Sequence, residues 1–110
     1  MDARGERIGK NEAVFRRVNE RLKELGEGFS LVAEHSDFVC ECGNEGCVEA
    51  VELSLDEYER VRANPAWFIV RPGHEAPGLE FVVERHGTYS IIEKHEGEPA
   101  ELARDADPRS

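Results

Sequence analysis

The chain has 110 residues, of which 39% are hydrophobic and 35% charged, and its formal net charge at pH 7 is −10. This length leaves room for one small hydrophobic core, and a core this small commonly needs a disulfide or a metal ion as an additional constraint. No apolar run approaches the roughly 20 residues that a transmembrane helix needs, and the N-terminal residues lack the apolar stretch of a signal peptide. The composition therefore excludes a membrane protein and predicts a single cytoplasmic domain.

The charges are unevenly distributed along the chain. Residues 27–59 contain ten acidic residues and no Lys or Arg, whereas residues 1–26 contain seven basic and five acidic residues. An acidic region repels phosphate groups, so nucleic acid is an unfavourable partner for the centre of the chain. The pattern instead predicts a protein partner with a basic surface.

The N-terminal third predicts a flexible arm followed by a helix. Residues 1–10 are polar and are assigned to the arm, while Asn11 is a suitable N-cap and Gly26 a suitable C-terminal stop. Apolar residues recur at helical spacing and predict the buried face: Val14, Phe15, Val18, Leu22 and Leu25. The charged residues of the other faces, such as Arg16 and Arg17, are predicted to be solvated, with a docking face for an acidic partner as the alternative.

The middle of the chain predicts a β-hairpin and then a short helix. Residues 29–33 and 37–41 are β-prone, and pairing residues 38–40 with 48–51 would bring all the cysteines to one end of a hairpin. Ser54 and Glu57 form a capping box that opens the following helix.

The C-terminal part predicts a short sheet and a tail. The apolar residues 67–70 and the residues 88–92 are predicted to be strands. Residues 79–86 fit both a helix and a strand, and the spacing of Leu79, Val82, Val83 and His86 favours the helix. Residues 95–110 are rich in Glu, Ala, Pro and Asp, and are predicted to be a disordered acidic tail.

The three cysteines of the chain, Cys40, Cys42 and Cys47, lie within eight residues. An odd number of thiols cannot all pair, and a Cys-x-Cys disulfide would close a strained loop. In a reducing compartment clustered cysteines are more often metal ligands than disulfides. Three thiolates on a tight turn need one further donor to complete a tetrahedral zinc site, whereas iron–sulfur clusters usually take four cysteines.

The fourth ligand must come from outside the cluster. The candidates are a nearby carboxylate or one of the histidines: His35, His74, His86 and His95. His74 is favoured because it follows Pro72 and Gly73 in a rigid turn after the most apolar strand. The sequence thus predicts one structural Zn²⁺ per chain, bound by Cys40, Cys42, Cys47 and His74.

The surroundings of the cysteines argue against reactive thiols and against an enzyme. Glu41, Glu45 and Glu49 flank them, and neighbouring negative charge disfavours the thiolate that a nucleophile or redox centre needs. Signatures of zinc proteases, zinc deaminases and phosphate-binding loops are missing.

Four segments carry a resemblance to a known group of proteins: residues 11–21, 38–42, 57–62 and 70–75. They resemble short uncharacterised proteins of high-GC Gram-positive bacteria, which share the Cys-x-Cys-x4-Cys motif and a Pro-Gly-His turn. The likeness covers about residues 11–94. It implies a cytoplasmic protein in which Cys40, Cys42, Cys47 and His74 act together, and it implies no reaction.

The expectation is therefore a small α+β domain over residues 11–94, with an N-terminal helix, a metal-stapled β-hairpin, a short sheet and one or two further helices. Its leading function is a non-enzymatic zinc-binding domain that acts through protein–protein contacts. A thiol-based redox or metal sensor is the alternative. A nucleic-acid-binding module that uses Arg16, Arg17, Arg21 and Lys23 ranks third.

Overall fold

The computed structural model describes residues 2–28, 36–47 and 49–109. These residues form a compact α+β domain with three helices and two small antiparallel sheets, which confirms the predicted fold class. In chain order the elements are α1 (Ala3–Gly28), β1 (Ser36–Val39), β2 (Ala50–Leu53), α2 (Leu55–Arg62), β3 (Trp67–Val70), β4 (Glu80–His86), β5 (Tyr89–Lys94) and α3 (Glu98–Asp105). None of the described helices is long and apolar enough to cross a membrane.

The first sheet is the predicted hairpin. Strands β1 and β2 pair antiparallel with Val39 opposite Ala50, and the Cys40 N–H continues the pairing by donating to the Glu49 carbonyl at 3.0 Å. The cysteine-containing turn therefore lies at one end of this hairpin, as the sequence predicted. The predicted β-prone stretch 29–33 lies outside the described residues.

The helix after the hairpin begins where its capping box predicts. The Ser54 hydroxyl accepts a hydrogen bond from the Glu57 N–H at 3.0 Å, and α2 buries Tyr58 and Val61. The helix ends before Pro65, whose ring disfavours a helical conformation in the preceding residue.

The second sheet has the strand order β3-β5-β4, and its edge strand β4 corrects the helix favoured for residues 79–86. Strand β4 pairs along its length with β5, and the register shifts between Val82 and Glu84 at a bulge. Because of this bulge both Val82 and Val83 are partly buried against the core. Two consecutive half-buried valines resemble a helical spacing, which explains the wrong prediction.

Residues predicted to be a flexible arm (1–10) and a disordered tail (95–110) instead form helical segments near both ends of the chain. Helix α1 begins at Ala3 rather than after Asn11, and the Asp2 carboxylate accepts a hydrogen bond from the Gly5 N–H at 2.8 Å. Residues 98–105 form α3, which buries Ala100 and Ala103. These two segments pack on each other, because glycines and alanines allow close approach of two helices. A methyl group at Gly9 would lie only 2.5 Å from the Leu102 Cδ2 atom.

The face of α1 that packs on the domain is largely polar, which corrects most of the predicted apolar inner face. Of the five predicted residues, Leu22 packs against the core and Phe15 is partly buried, whereas the other three are exposed. Glu12, Arg16 and Asn19 have no solvent-exposed surface, whereas Val14 and Val18 are 57% and 42% exposed. Leu25, also predicted to be buried, is 59% exposed. This orientation could not be predicted from apolar spacing, because it depends on partners of the buried polar groups that are distant in the chain.

Each buried polar side chain of α1 has such partners. The Lys94 ammonium donates to Glu12 Oε1 at 2.6 Å and to Glu80 Oε1 at 2.7 Å. The Arg16 guanidinium donates to two backbone carbonyls at 2.6 Å, those of Pro65 and Ala103, and lies over the Phe68 ring. A buried charge without partners costs several kcal/mol, so these contacts fix the rotation of α1 about its axis.

Candidate metal centre

The four predicted ligand residues come together at one end of the hairpin. Cys40 follows β1, Cys42 and Cys47 lie in the turn that leads to β2, and His74 lies in the turn after β3. One ligand atom from each residue can be chosen such that all four lie within 4.8 Å of one another. The three cysteines are buried and His74 is partly buried.

The distances within the cluster fit a tetrahedral zinc ion. The His74 Nδ1 atom lies 3.6 Å from Cys40 Sγ and 3.7 Å from Cys47 Sγ. Zinc at about 2.3 Å from sulfur and about 2.0–2.1 Å from nitrogen, with tetrahedral angles, separates sulfur from nitrogen by about 3.5–3.6 Å. These two sulfur–nitrogen distances therefore match edges of such a tetrahedron, and the remaining donor–donor distances are all within 4.8 Å.

Two contacts behind the ligands support the same arrangement. The Arg71 backbone N–H donates to Cys40 Sγ at 3.2 Å, a contact that stabilises negative charge on the sulfur. The Nε2 atom of His74 lies 3.4 Å from Glu49 Oε2, on the opposite side of the ring from Nδ1. A histidine that binds a metal through one nitrogen commonly donates its other N–H to a carboxylate, which fixes the ring orientation. Glu49 is placed to hold His74 in this way.

Glu41, between the first two cysteines, faces the core rather than the thiols, which corrects its predicted place beside them. Its side chain is fully buried and accepts hydrogen bonds from Asn19 Nδ2 at 2.8 Å, Tyr58 Oη at 2.9 Å and the Ile69 N–H at 3.0 Å. Burial raises the pKa of the Glu41 carboxyl above its usual value, and the three hydrogen bonds oppose that shift. The carboxyl group thus ties the cysteine segment to α1, α2 and β3.

Helix α1 contacts the cysteine turn directly. The Asn11 side-chain amide donates to the Gly43 carbonyl at 3.1 Å. A methyl group at Gly43 would lie 2.2 Å from Ile8 Cγ2, so any larger residue at this position would require the Ile8 side chain or the backbone to move. Arg4 and Arg7 of the same helix line an open groove of about 570 Å³ that Cys42 and His74 also border. Sequence reasoning missed these residues because it assigned residues 1–10 to a mobile arm.

Burial makes the thiols of Cys40 and Cys42 poor nucleophiles in the absence of a metal. It is the main cause that raises the pKa values of Cys40 and Cys42 above the usual value of a thiol. A reactive cysteine needs the opposite shift, which a nearby cation or a helix N-terminus provides. The site therefore matches metal coordination better than thiol chemistry.

Of the other histidines, the two that lie in the described residues, His86 and His95, do not join the cysteines. His86 stacks on the Tyr89 ring and lies 2.9 Å from Glu84, and His95 is exposed beside Phe81. His35 lies outside the described residues.

His86 belongs to a second group of potential ligands, with Glu57 and Glu84. Arg60 already bridges these carboxylates, at 2.7 Å from Glu57 Oε1 and 2.6 Å from Glu84 Oε1. The group is therefore a surface ion-pair network in which the Arg60 guanidinium is the cation between the two carboxylates.

Comparisons of this chain with protein-family models, with curated proteins and with solved structures give no match. The chemistry of the site is therefore inferred from its own geometry.

Proposed function

We propose that the chain is a small non-enzymatic domain that binds one structural Zn²⁺ through Cys40, Cys42, Cys47 and His74 and acts through protein–protein contacts. The observation that carries the proposal is the convergence of four suitable donor atoms within 4.8 Å from two separate turns. Three thiolates and one imidazole are a common donor set of structural zinc sites. The supporting contacts of Arg71 and Glu49 agree with this role.

Zinc at this site would link parts of the fold that are distant in sequence. The three cysteines belong to the hairpin of β1 and β2, and His74 belongs to the connection between β3 and β4 of the second sheet. Cross-linking these two sheets would compensate for the small apolar core of a chain that is 39% hydrophobic.

The same geometry argues for a structural rather than a catalytic ion. Four protein donors complete a tetrahedral shell, whereas catalytic zinc keeps one position for water or substrate. Reduced thiols also require a reducing compartment, so the proposal includes a cytoplasmic location.

The proposed partner of the acidic region is a protein with a basic surface. Within the part of this region whose side chains the structure describes, the exposed carboxylate residues are Asp37, Glu45, Glu49, Glu52 and Asp56. Complementary charge accelerates association and selects among partners, and it makes association sensitive to salt.

The first test is the metal content of untagged protein. We expect about one zinc per chain, and we expect Cys42→Ser and His74→Ala to lose most of it because each removes one of four ligands. Two substitutions serve as matched controls, since His86→Ala and His95→Ala remove histidines that lie away from the cysteines. Replacement of zinc by Co²⁺ should give the visible absorption of tetrahedral cobalt bound to thiolates. Metal-free wild-type protein that is as stable as the zinc-loaded protein would refute the proposal.

A second measurement separates a structural ion from a sensor. If zinc is structural, a chelator should unfold the domain cooperatively, because zinc binding contributes about 10–16 kcal/mol in zinc-finger peptides and this is folding free energy. A sensor would release zinc under mild peroxide and remain folded. Circular dichroism during chelation and during oxidation, with zinc release followed by a dye, distinguishes the two functions.

A further inference from the structure

An apolar stripe lies on the outer face of α1. Val14, Val18 and Leu25 are 57%, 42% and 59% exposed, and they follow one another at intervals of four and seven residues. Residues at these intervals lie on one side of a helix. Three of the four large hydrophobic residues that are exposed in the described part of the chain thus belong to one stripe, the fourth being Phe81.

The orientation of α1 keeps this stripe outside. Glu12, Arg16 and Asn19 are fully buried on the opposite side, and each is bound to residues of other elements. Rotation of the helix to bury the valines would break all these contacts, and the charged groups of α1 would lose their buried partners. These polar contacts therefore hold α1 in a rotation that leaves the valines exposed to solvent.

The stripe has the spacing of a coiled-coil seam with basic flanks. Val14, Val18, Arg21 and Leu25 follow at intervals of four, three and four residues, which is the heptad spacing of positions facing a partner helix. Arg17 and Lys10 flank it. Arg17 makes no ion pair within the described residues, and the pair of Arg21 with Glu24 at 3.5 Å is highly exposed.

We propose that this outer face of α1, defined by Val14, Arg17, Val18, Arg21 and Leu25, docks an acidic amphipathic helix of a partner protein. The proposal rests on the proposed action through protein contacts, but it uses a surface distinct from the acidic residues 27–59. The partner helix would place Leu or Ile residues against the stripe and Glu or Asp residues against Arg17 and Arg21.

Charge and composition select this occupant over two others. A second copy of α1 would bring Arg17 and Arg21 against the same residues of the first copy, and like charges at an interface suppress association. A nucleic acid would leave the valines and Leu25 without apolar contacts.

The test uses two fluorescent peptides of three heptads, with Leu at the positions that face α1. The first carries Glu at both flanking positions of each heptad, and the second carries Lys there. Binding to zinc-loaded full-length protein is measured by anisotropy at about 0.15 M salt, where the Debye length is about 8 Å. The seam from Val14 to Leu25 is about 16 Å long, so we expect affinity in the micromolar range.

We expect the Glu peptide to bind at least tenfold more tightly than the Lys peptide. Val14→Ser/Val18→Ser should weaken binding of the Glu peptide at least tenfold, whereas Phe81→Ser, the control at an exposed hydrophobic residue elsewhere, should leave it unchanged. Arg17→Glu/Arg21→Glu should reverse the preference between the two peptides. All these residues are exposed on a helix or an edge strand, so circular dichroism should show each variant folded.

Three outcomes would overturn the proposal. The first is equal binding of both peptides, or binding that the valine substitutions do not weaken. The second is self-association of the wild type in sedimentation that Val14→Ser/Val18→Ser abolishes, which would identify a second copy as the occupant. The third is tighter binding of duplex DNA than of the Glu peptide. Zinc content is measured on the same samples. Wild-type protein that contains zinc but does not bind the Glu peptide would contradict this inference and leave the metal proposal intact.

Discussion

Substitution of Gly43 by Ala tests whether the cysteine turn depends on its contact with α1. A methyl group at this position would lie 2.2 Å from Ile8 Cγ2 and 3.0 Å from Ile8 Cβ. Carbon atoms in contact are normally about 3.5–4.0 Å apart, so the Ile8 side chain would have to leave its position, α1 and the turn would have to separate, or both. The movement would also strain the hydrogen bond from Asn11 to the Gly43 carbonyl.

The expected magnitude follows from these contacts. Overpacking of this kind costs about 1–3 kcal/mol, and a weakened hydrogen bond adds about 1 kcal/mol at most. The entropy of unfolding of a 110-residue chain is about 0.23 kcal/mol/K, so 1 kcal/mol corresponds to about 4 °C in Tm. We therefore expect Gly43→Ala to lower the Tm of zinc-loaded protein by about 4–16 °C.

The assay is thermal unfolding followed by circular dichroism, combined with a zinc competition titration. Gly46→Ala is the matched control in the same turn, because its methyl group would meet no atom closer than 3.4 Å. It should change stability by no more than about 0.5 kcal/mol. Shortening the opposing side chain in the double variant Ile8→Ala/Gly43→Ala should recover part of the loss caused by Gly43→Ala alone. Equal stability of Gly43→Ala and Gly46→Ala, or no recovery in the double variant, would refute the reasoning.

Two further predictions concern charged groups. Lys94→Met should destabilise the protein by about 3–5 kcal/mol in chemical denaturation, because it leaves Glu12 and Glu80 buried without their cation. The triple variant Glu12→Leu/Glu80→Gln/Lys94→Met should recover much of this loss, and failure to recover would assign it to packing instead. Hydrogen bonds from Arg60 lower the pKa of Glu57 and bring the pKa of Glu84 to about 2. The stabilisation by these hydrogen bonds is complete above the carboxyl pKa of the unfolded chain, near 4.3, and disappears as the pH falls toward about 2. The stability difference between wild type and Arg60→Gln should therefore shrink between about pH 5 and pH 2 in urea titrations, and a difference independent of pH would contradict this origin.

Most of the cluster was predictable because three of its four residues are close in sequence. Cys40, Cys42 and Cys47 lie in one turn, which the geometry of a short hairpin brings to one end. His74 lies in a separate turn, and its approach to the cysteines depends on how the second sheet packs against the hairpin. Whether they bind zinc is a separate question, which metal analysis answers.

The orientation of α1 was not predictable because its determinants are distant. Apolar periodicity predicted that Val14 and Val18 face the core, but the side chains that hold α1 are Glu12 and Arg16, with partners in β5, α3 and the segment before β3. A sequence pattern cannot show that a charge has a buried partner more than 80 residues away, as in the pair of Glu12 and Lys94. The exposed valines were therefore mistaken for core residues.

The buried charges and the proposed zinc have complementary effects on the fold. Buried ion pairs such as Lys94 with Glu12 and Arg62 with Glu20 contribute little net stability, because desolvation offsets most of their attraction. They do restrict the orientation of α1, since each misaligned packing would leave a charge without its partner. In the proposed zinc-bound domain, stability would then come from the small apolar core and from metal binding, which is worth about 10–16 kcal/mol in zinc-finger peptides. A domain organised in this way should lose its fold when the metal is removed, even though every polar contact of α1 is still available to it.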